Sequence, residues 1–382
     1  QVGKDAPAYS LYPGLENKTT TGGGYGYGFT GPSPDLKPEL TTSKEIGTEL
    51  KFYRGRLGLD VAYYHSTSKD QIVKDLRLSY GTGFILQVFN GGTLENKGLE
   101  IQLSGTPVKR DNLTWNMLVN FTKTNSKLLS LPQDLPEYYV SDTWVYQNVR
   151  NGVKPGFPLT TLTGTAYSRN NAGDILINPT TGLPIRNTAV FANIGDRNPD
   201  FMLGFSNNIT YKDFNLSFLF DIRKGGDVFN GNELYMYNNG MSINTLDRET
   251  PRVIKGVLRD GKENTDTPTP NTKEIIPNTL NDYYRTTFIE EDFIEKDINW
   301  IRLKDITLSY RIPNSIMAKT KVFQTASVFF TGTDLFLLTN YTGADPSVNG
   351  VTAGVGGSGG SGIDYGVIST PRGLSFGVKV GL

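Results

Sequence analysis

Apolar side chains recur at every second position in segment after segment of this 382-residue chain. Leu57, Leu59, Val61 and Tyr63 share one parity. Leu99, Ile101 and Leu103 alternate with Glu100, Gln102 and Ser104. The pattern returns at Leu113, Trp115, Met117, Val119 and Phe121, at Phe201, Leu203, Phe205 and Ile209, and at Phe214, Leu216, Phe218, Phe220 and Ile222. Ile306, Leu308, Tyr310 and Ile312 form another stripe, as do Val328 with Phe330, and Leu374, Phe376, Val378, Val380 and Leu382. A period of two means strands with two chemically different faces. Several stripes run for roughly 9–11 residues, the length of a tilted strand that crosses a bilayer. Soluble strands usually stop near about 5–6 residues.

A soluble sandwich also alternates, so other features must decide. The chain holds 43 glycines and 11% aromatics, which suit turns and strands respectively. Some stripes are joined by short turns: Tyr53 to Arg56, Thr106 to Asn112, Tyr211 to Asp213, and Pro313 to Lys321. Long polar stretches separate the others: Ser126 to Asn198, Lys224 to Asp297, and Thr333 to Pro371. Short turns at one end and long loops at the other are the pattern of outer-membrane barrels, with the long loops extracellular. Tyr63, Tyr64, Trp115, Tyr211, Trp300 and Tyr310 lie near stripe ends, where an interfacial girdle belongs. The expected fold is all-β, a transmembrane antiparallel β-barrel contributing about ten strands, against roughly 22 in the largest plugged barrels. Residues 1–43 are expected to form an extracellular loop and the approach to the first strand, and 44–382 the barrel strands and loops. Pro38, Pro199 and Pro313 sit beside stripes, as residues that donate no ladder hydrogen bond should. Gly225 and Gly226 suit a positive-φ bend where the chain leaves a strand.

Composition removes several function classes. Lys+Arg and Asp+Glu are both 38, which argues against nucleic acid as a partner. There is no cysteine, hence no disulfide framework and no thiolate metal site. The single histidine, His65, reads as a pore or surface side chain. No apolar run approaches the roughly 18 residues of a spanning helix. The segment Asp174 to Leu183 holds one acid, too few oxygen ligands for calcium. No acid sits in a motif with a fixed partner, as a glycoside hydrolase would require. The reading is therefore not an enzyme, with no catalytic, metal or cofactor residue. Gln1 to Asp5 does not resemble a secretion signal, so the chain is expected to begin inside a longer protein.

Asp60, Glu100, Asp221 and Arg223 fall on the polar parity. A charge facing lipid costs about 2–4 kcal/mol at the midplane for Lys or Arg, so these four are expected to face the lumen. Arg302 and Lys304 share parity with Ile306, which demands a bulge or a position beyond the apolar band. The long loops should carry ligand and partner contacts. Tyr138, Tyr139, Trp144, Tyr146, Tyr235 and Tyr237 are the candidates, since flat rings offer contact area at little entropic cost. The alternative is that these rings pack the loops on themselves.

A series of short segments then resembles one family, the SusC/RagA-type TonB-linked outer-membrane proteins of Bacteroidetes. Asp35-Leu36-Lys37-Pro38-Glu39 with Glu45-Ile46-Gly47 resembles its run-in to a barrel strand. Asn90-Gly91-Gly92 with Glu95 to Glu100 resembles its "NKGLE" segment, and Ile194 to Phe201 its "IGxxNPxF" strand start. Gly225 to Asn230, Ile301 to Tyr310, and Thr333 to Pro346 follow in the family's order. The resemblance implies the C-terminal part of a barrel, without the N-terminal plug, TonB box and first barrel half that family members carry. It implies partners: that plug and barrel half, on the same or a separate chain; a SusD-like lipoprotein lid; TonB, acting through the plug; outer-membrane lipid; and a glycan or peptide substrate. The alternative is a non-transporting outer-membrane scaffold with the same fold.

Overall fold

The computed structural model describes residues 14–17, 23–28, 30–77, 84, 86–131, 135, 137–139, 148–320, 322–347 and 360–381. Nine long strands form one sheet, against about ten expected from the stripes. They are β1 (Leu40–Phe52), β2 (Leu57–Lys69), β3 (Thr93–Arg110), β4 (Leu113–Ser130), β5 (Phe201–Tyr211), β6 (Phe214–Lys224), β7 (Trp300–Arg311), β8 (Thr325–Thr339) and β9 (Gly373–Gly381). Each pairs antiparallel with its neighbour in sequence, so the sheet is a simple meander with open edges at β1 and β9. No helix among the described residues is long and apolar enough to cross a membrane, which says nothing of strands.

The connections alternate in length. Tyr53–Gly55, Asp111-Asn112, Lys212-Asp213 and residues 312–324 close the hairpins at one end. Residues 70–92, 131–200, 225–299 and 340–372 leave from the other. Two of the tight turns use positive φ at Tyr53, Arg54 and Lys212. The turn after β3 is shorter than the sequence suggested. β3 continues to Arg110 by taking up a bulge between Gly105 and Val108.

Register turns the stripes into rows. Leu50, Leu59, Leu103, Val119, Phe205, Phe220, Leu303 and Phe336 lie opposite one another from β1 to β8. Leu216, Leu308, Phe330 and Phe376 make a second row. This face is open: Phe330 is 47% and Phe376 71% exposed. So large a contiguous apolar surface marks contact with a partner or a membrane. Near the turn end it carries Trp115, Tyr211, Phe214 and Tyr310. Near the loop end it carries Tyr63, Phe121 and Phe201. The 11 residues of β5 extend about 36 Å, or about 25 Å of depth at a tilt of about 45°. That depth matches the apolar band of an outer-membrane barrel, about 25 Å.

The buried core lies in the loops. Val149, Leu162, Ala166 and Ile194 from residues 131–200 meet Phe229, Leu234, Phe293 and Ile294 from 225–299, and Ile363 from 340–372. Phe229 joins two of these loops through the backbone as well, pairing antiparallel with Ile294 and parallel with Ile363. Helix α1 (Gly231–Asn238) follows, capped by Asn230, whose Oδ1 accepts from Glu233 N at 2.9 Å.

Candidate functional site

The polar face and the loop collar above it form the candidate site. One polar row reads Asp60, Gln102, Asn120, Gly204, Asp221 and Arg302 across β2 to β7. The next row toward the loops reads Glu100, Thr122, Met202, Arg223 and Trp300. The four sequence-predicted charges therefore fall in two adjacent rows of one face. Their surroundings differ. Asp60 and Glu100 are exposed. Asp221 accepts from Trp300 Nε1 at 3.0 Å, and Arg223 stacks on the same indole at 4.9 Å.

Arg223 also donates to the carbonyls of Arg197 (2.5 Å) and Gly225 (3.0 Å). It thereby fastens the end of the loop 131–200 and the start of the loop 225–299 to the strand end. Asp227 completes the junction. Its carboxylate accepts from Asp196 N at 2.8 Å and from Asp297 N at 3.2 Å. Gly225 and Gly226 take φ of +79° and +89°, the bend expected of them. A Cβ on Gly226 would meet the Arg197 carbonyl at 2.8 Å. Arg197 is half-buried beside Asp196, and its desolvation lowers its pKa. Arg197, Arg223, Asp227, Trp300 and Ser347 line a cavity of about 230 Å³ at this junction.

A bulge settles the parity of Arg302. The β7–β8 register shifts between Leu303 and Asp305, leaving Lys304 unpaired, and the β6–β7 register shifts at the same level. Leu303 joins the apolar row and Arg302 turns to the polar face. There Arg302 is 3% exposed and reaches Asp345 at 2.5 Å, Asp334 at 3.3 Å and Ser347 at 3.1 Å. Asp334 sits at φ +49° in the bulge. Burial acts to raise the Asp345 carboxyl, but hydrogen bonds from Arg302 and Ser347 outweigh it and hold the pKa at about 2.

The same loop is pinned twice more. Tyr341 donates to Asp364 Oδ2 at 2.7 Å. Burial, then the Asp364 carboxylate, push the phenol well above its ordinary range. Burial also raises Asp364. Glu295 accepts from Asn230 Nδ2 (2.7 Å) and Thr342 N (2.9 Å). In the loop 131–200, Glu137 takes a bidentate pair from Arg150 at 3.0 and 2.6 Å and accepts from the Thr163 hydroxyl.

The loop aromatics separate. Tyr235 is 55% exposed on α1. Tyr237, on the same helix, is half-buried against Tyr284, Phe288 and Phe293 at 5.2, 4.7 and 5.5 Å. Burial pushes its pKa up to about 12. Tyr237 thus packs the loops together. Tyr138 is half-buried, and Tyr138 and Tyr139 pair through the backbone with Val153 and Gly152. Trp144 and Tyr146 lie outside the described residues. His65 lies on the apolar parity, beyond the band, with Nε2 3.0 Å from Glu95 Oε2.

Sequence reasoning missed Asp227, Arg302, Tyr341, Asp345 and Asp364 as a connected set. The signal was present in part: Asp227, Arg302, Tyr341 and Asp345 all belong to the short motifs that carry the family resemblance. Those motifs, distant in sequence, meet at the junction of sheet and loops.

Comparison with known proteins agrees with this architecture. Residues 6–144 match the family described as TonB dependent receptor-like, beta-barrel. TonB-dependent receptor P26 of Formosa agariphila is 29% identical over 364 residues, covering 91% of this chain and 35% of that protein. TonB-dependent receptor SusC of Bacteroides thetaiotaomicron is 24% identical, over 82% of this chain and 30% of that protein. The chain thus spans about a third of the length of the curated relatives it matches. A solved structure of the RagAB peptide transporter superposes with a TM-score of 0.67 at 20% identity, over 96% of this chain and 38% of the other. That likeness concerns the fold. The meander, the two-faced rows, the loop collar and these matches agree: the chain is similar to part of the β-barrel of TonB-dependent receptors such as SusC, and its fold is that of the RagAB barrel.

Proposed function

We propose that this chain forms part of the wall of an outer-membrane importer, energised through TonB, that works with a SusD-like surface lipoprotein to take up oligosaccharides or peptides. The observation that carries the reading is the nine-stranded meander with one continuous apolar face, one polar face, and every long loop at the same end. The apolar face meets lipid. The polar face, with Asp60, Glu100, Asp221 and Arg223, lines the lumen or a plug within it. The open edges of β1 and β9 pair with the remaining strands of the barrel. The loops, docked on their shared core, form the outer mouth, where exposed Tyr235 is the best-placed ring for a ligand or lid contact. Support comes from the neighbour described as a peptide transporter and from SusC among the relatives.

Uptake by intact cells tests this. Removing the receptor that contains this chain should abolish import of a labelled oligosaccharide or a labelled peptide, and removing TonB should do the same. Unchanged uptake of both classes, with the lipoprotein still assembled on the receptor, would favour a scaffold instead.

A further inference from the structure

We propose that the loop-end rim of the apolar face, on β1 to β4, binds the phosphate groups of an anionic membrane lipid. The proposal rests on the reading that this face meets lipid. Register assembles the rim. Lys44 lies opposite His65, and His65 opposite Lys97. Lys97 lies opposite Asn125, which places Lys123 and Lys127 on its two diagonals, about 7–8 Å away. This row begins two residues beyond Ile46, Tyr63 and Leu99, the last apolar row. That is about 7 Å of strand, the step from hydrocarbon to headgroup.

Glu95 is the one acid in these rows, and it is shared between His65 at 3.0 Å and Lys97 at 2.8 Å. Lys44, Lys123 and Lys127 are exposed. Like charges on neighbouring strands repel, so a cluster this dense favours a bound anion. The acids of the same strands point the other way. Glu45, Glu49, Asp60 and Glu100 have the opposite parity, so the pleat turns these acids away from the rim. At the corresponding level of β6 the apolar face carries Lys224, already paired with Asp297 at 2.8 Å. By contrast, Lys44, Lys123 and Lys127 make no ion pair among the described residues, so this sector carries uncompensated positive charge. Lysine stems can lie on the apolar band while their ammonium groups reach a headgroup. Basic clusters beside a membrane attract anionic lipid in this way. A phosphorylated amphiphile, with acyl chains on the band and phosphates on the rim, satisfies both surfaces at once.

The test uses the complete receptor polypeptide in mild detergent, with native mass spectrometry as the readout. The probes are lipid A bearing its phosphates and enzymatically dephosphorylated lipid A. The unsubstituted receptor should retain the phosphorylated form preferentially. Combining Lys44→Gln, Lys97→Gln, Lys123→Gln and Lys127→Gln should weaken that retention at least about tenfold, whereas Lys319→Gln, at the turn end, should leave it unchanged. Heat-modified gel migration checks that the variant barrel is folded. Equal retention by the folded quadruple variant, or equal binding of the two lipids, overturns the proposal. Displacement by equimolar inorganic phosphate overturns the lipid assignment in favour of a free anion. Failure of both lipids to bind would overturn the proposal and also count against the reading that this face meets lipid.

Discussion

Removing Arg302 should undock the loop 340–372 while leaving the sheet intact. The guanidinium is 3% exposed and the Asp345 carboxylate 6%, with 2.5 Å between them. Arg302→Met deletes one partner of a buried ion pair and strands the other, which costs about 3–5 kcal/mol. Applied to docking of this loop, that raises its open population roughly 160- to 5000-fold. Hydrogen exchange on the complete receptor in detergent reads the change at the amides of Tyr341, Thr342 and Ser347, which donate to Thr339 Oγ1, Glu295 Oε2 and Asp345 Oδ1. Amides within β7, such as Ser309, should not respond. The double variant Arg302→Met/Asp345→Leu should recover most of the protection at Tyr341 and Thr342, because no uncompensated charge remains, whereas Ser347 loses its acceptor with Asp345. The pH dependence follows from the same pair. Asp345 has its folded pKa depressed to about 2. Its contribution is therefore present above its ordinary pKa and lost as pH falls from about 4 toward 2. A less than threefold change in exchange for Arg302→Met would refute the reasoning, as would a double variant no better than the single.

Four further outcomes follow from the collar and the loops. Asp227→Ala frees the amides of Asp196 and Asp297 and should cost about 1–3 kcal/mol of local stability, seen as faster exchange in both loops together. Gly226→Ala forces a side chain into φ +89° against a carbonyl and should cost more than about 1–2 kcal/mol, measurable as a lower urea midpoint. Tyr341→Phe removes the donor to Asp364. Asp364 already has a raised pKa, so docking of its loop should strengthen as pH falls through that value, and the variant should shift the dependence to higher pH. Tyr237→Ala should loosen the loops by about 3 kcal/mol in a thermal melt, whereas Tyr235→Ala should leave the melt unchanged and alter ligand or lipoprotein affinity.

The strands were legible because pleating maps sequence parity directly onto two faces. Leu57 to Tyr63 and Phe214 to Ile222 announce β2 and β6 without help from tertiary contacts. Where parity breaks, sequence cannot follow. Lys304 in its bulge turns Arg302 inward, and only the partner strand's register reveals it. Strands also outrun their stripes: β8 continues to Thr339 through Asp334, whose positive φ depends on the bulge. The loop core was not legible, since Val149, Phe229 and Ile363 stand in aperiodic, mostly polar stretches. Nothing local says that they meet. Tyr235 and Tyr237 illustrate the limit at the site. Both are aromatic and two positions apart, but the helical turn of α1 leaves one ring outside and buries much of the other.

The central claim is that one face of the sheet meets lipid and the other meets water. The chain contains no cysteine, so single cysteines can be introduced along β6 and β7 at Leu216, Ser217, Phe218, Thr307, Leu308 and Ser309. Each is spin-labelled in the complete receptor in bilayers, and its collisions with oxygen and with a water-soluble nickel complex are compared. Labels at 216, 218 and 308 should favour oxygen, and those at 217, 307 and 309 the nickel complex, with a period of two along each strand. Equal access to nickel at both parities would contradict the account and leave the sheet as a water-exposed domain.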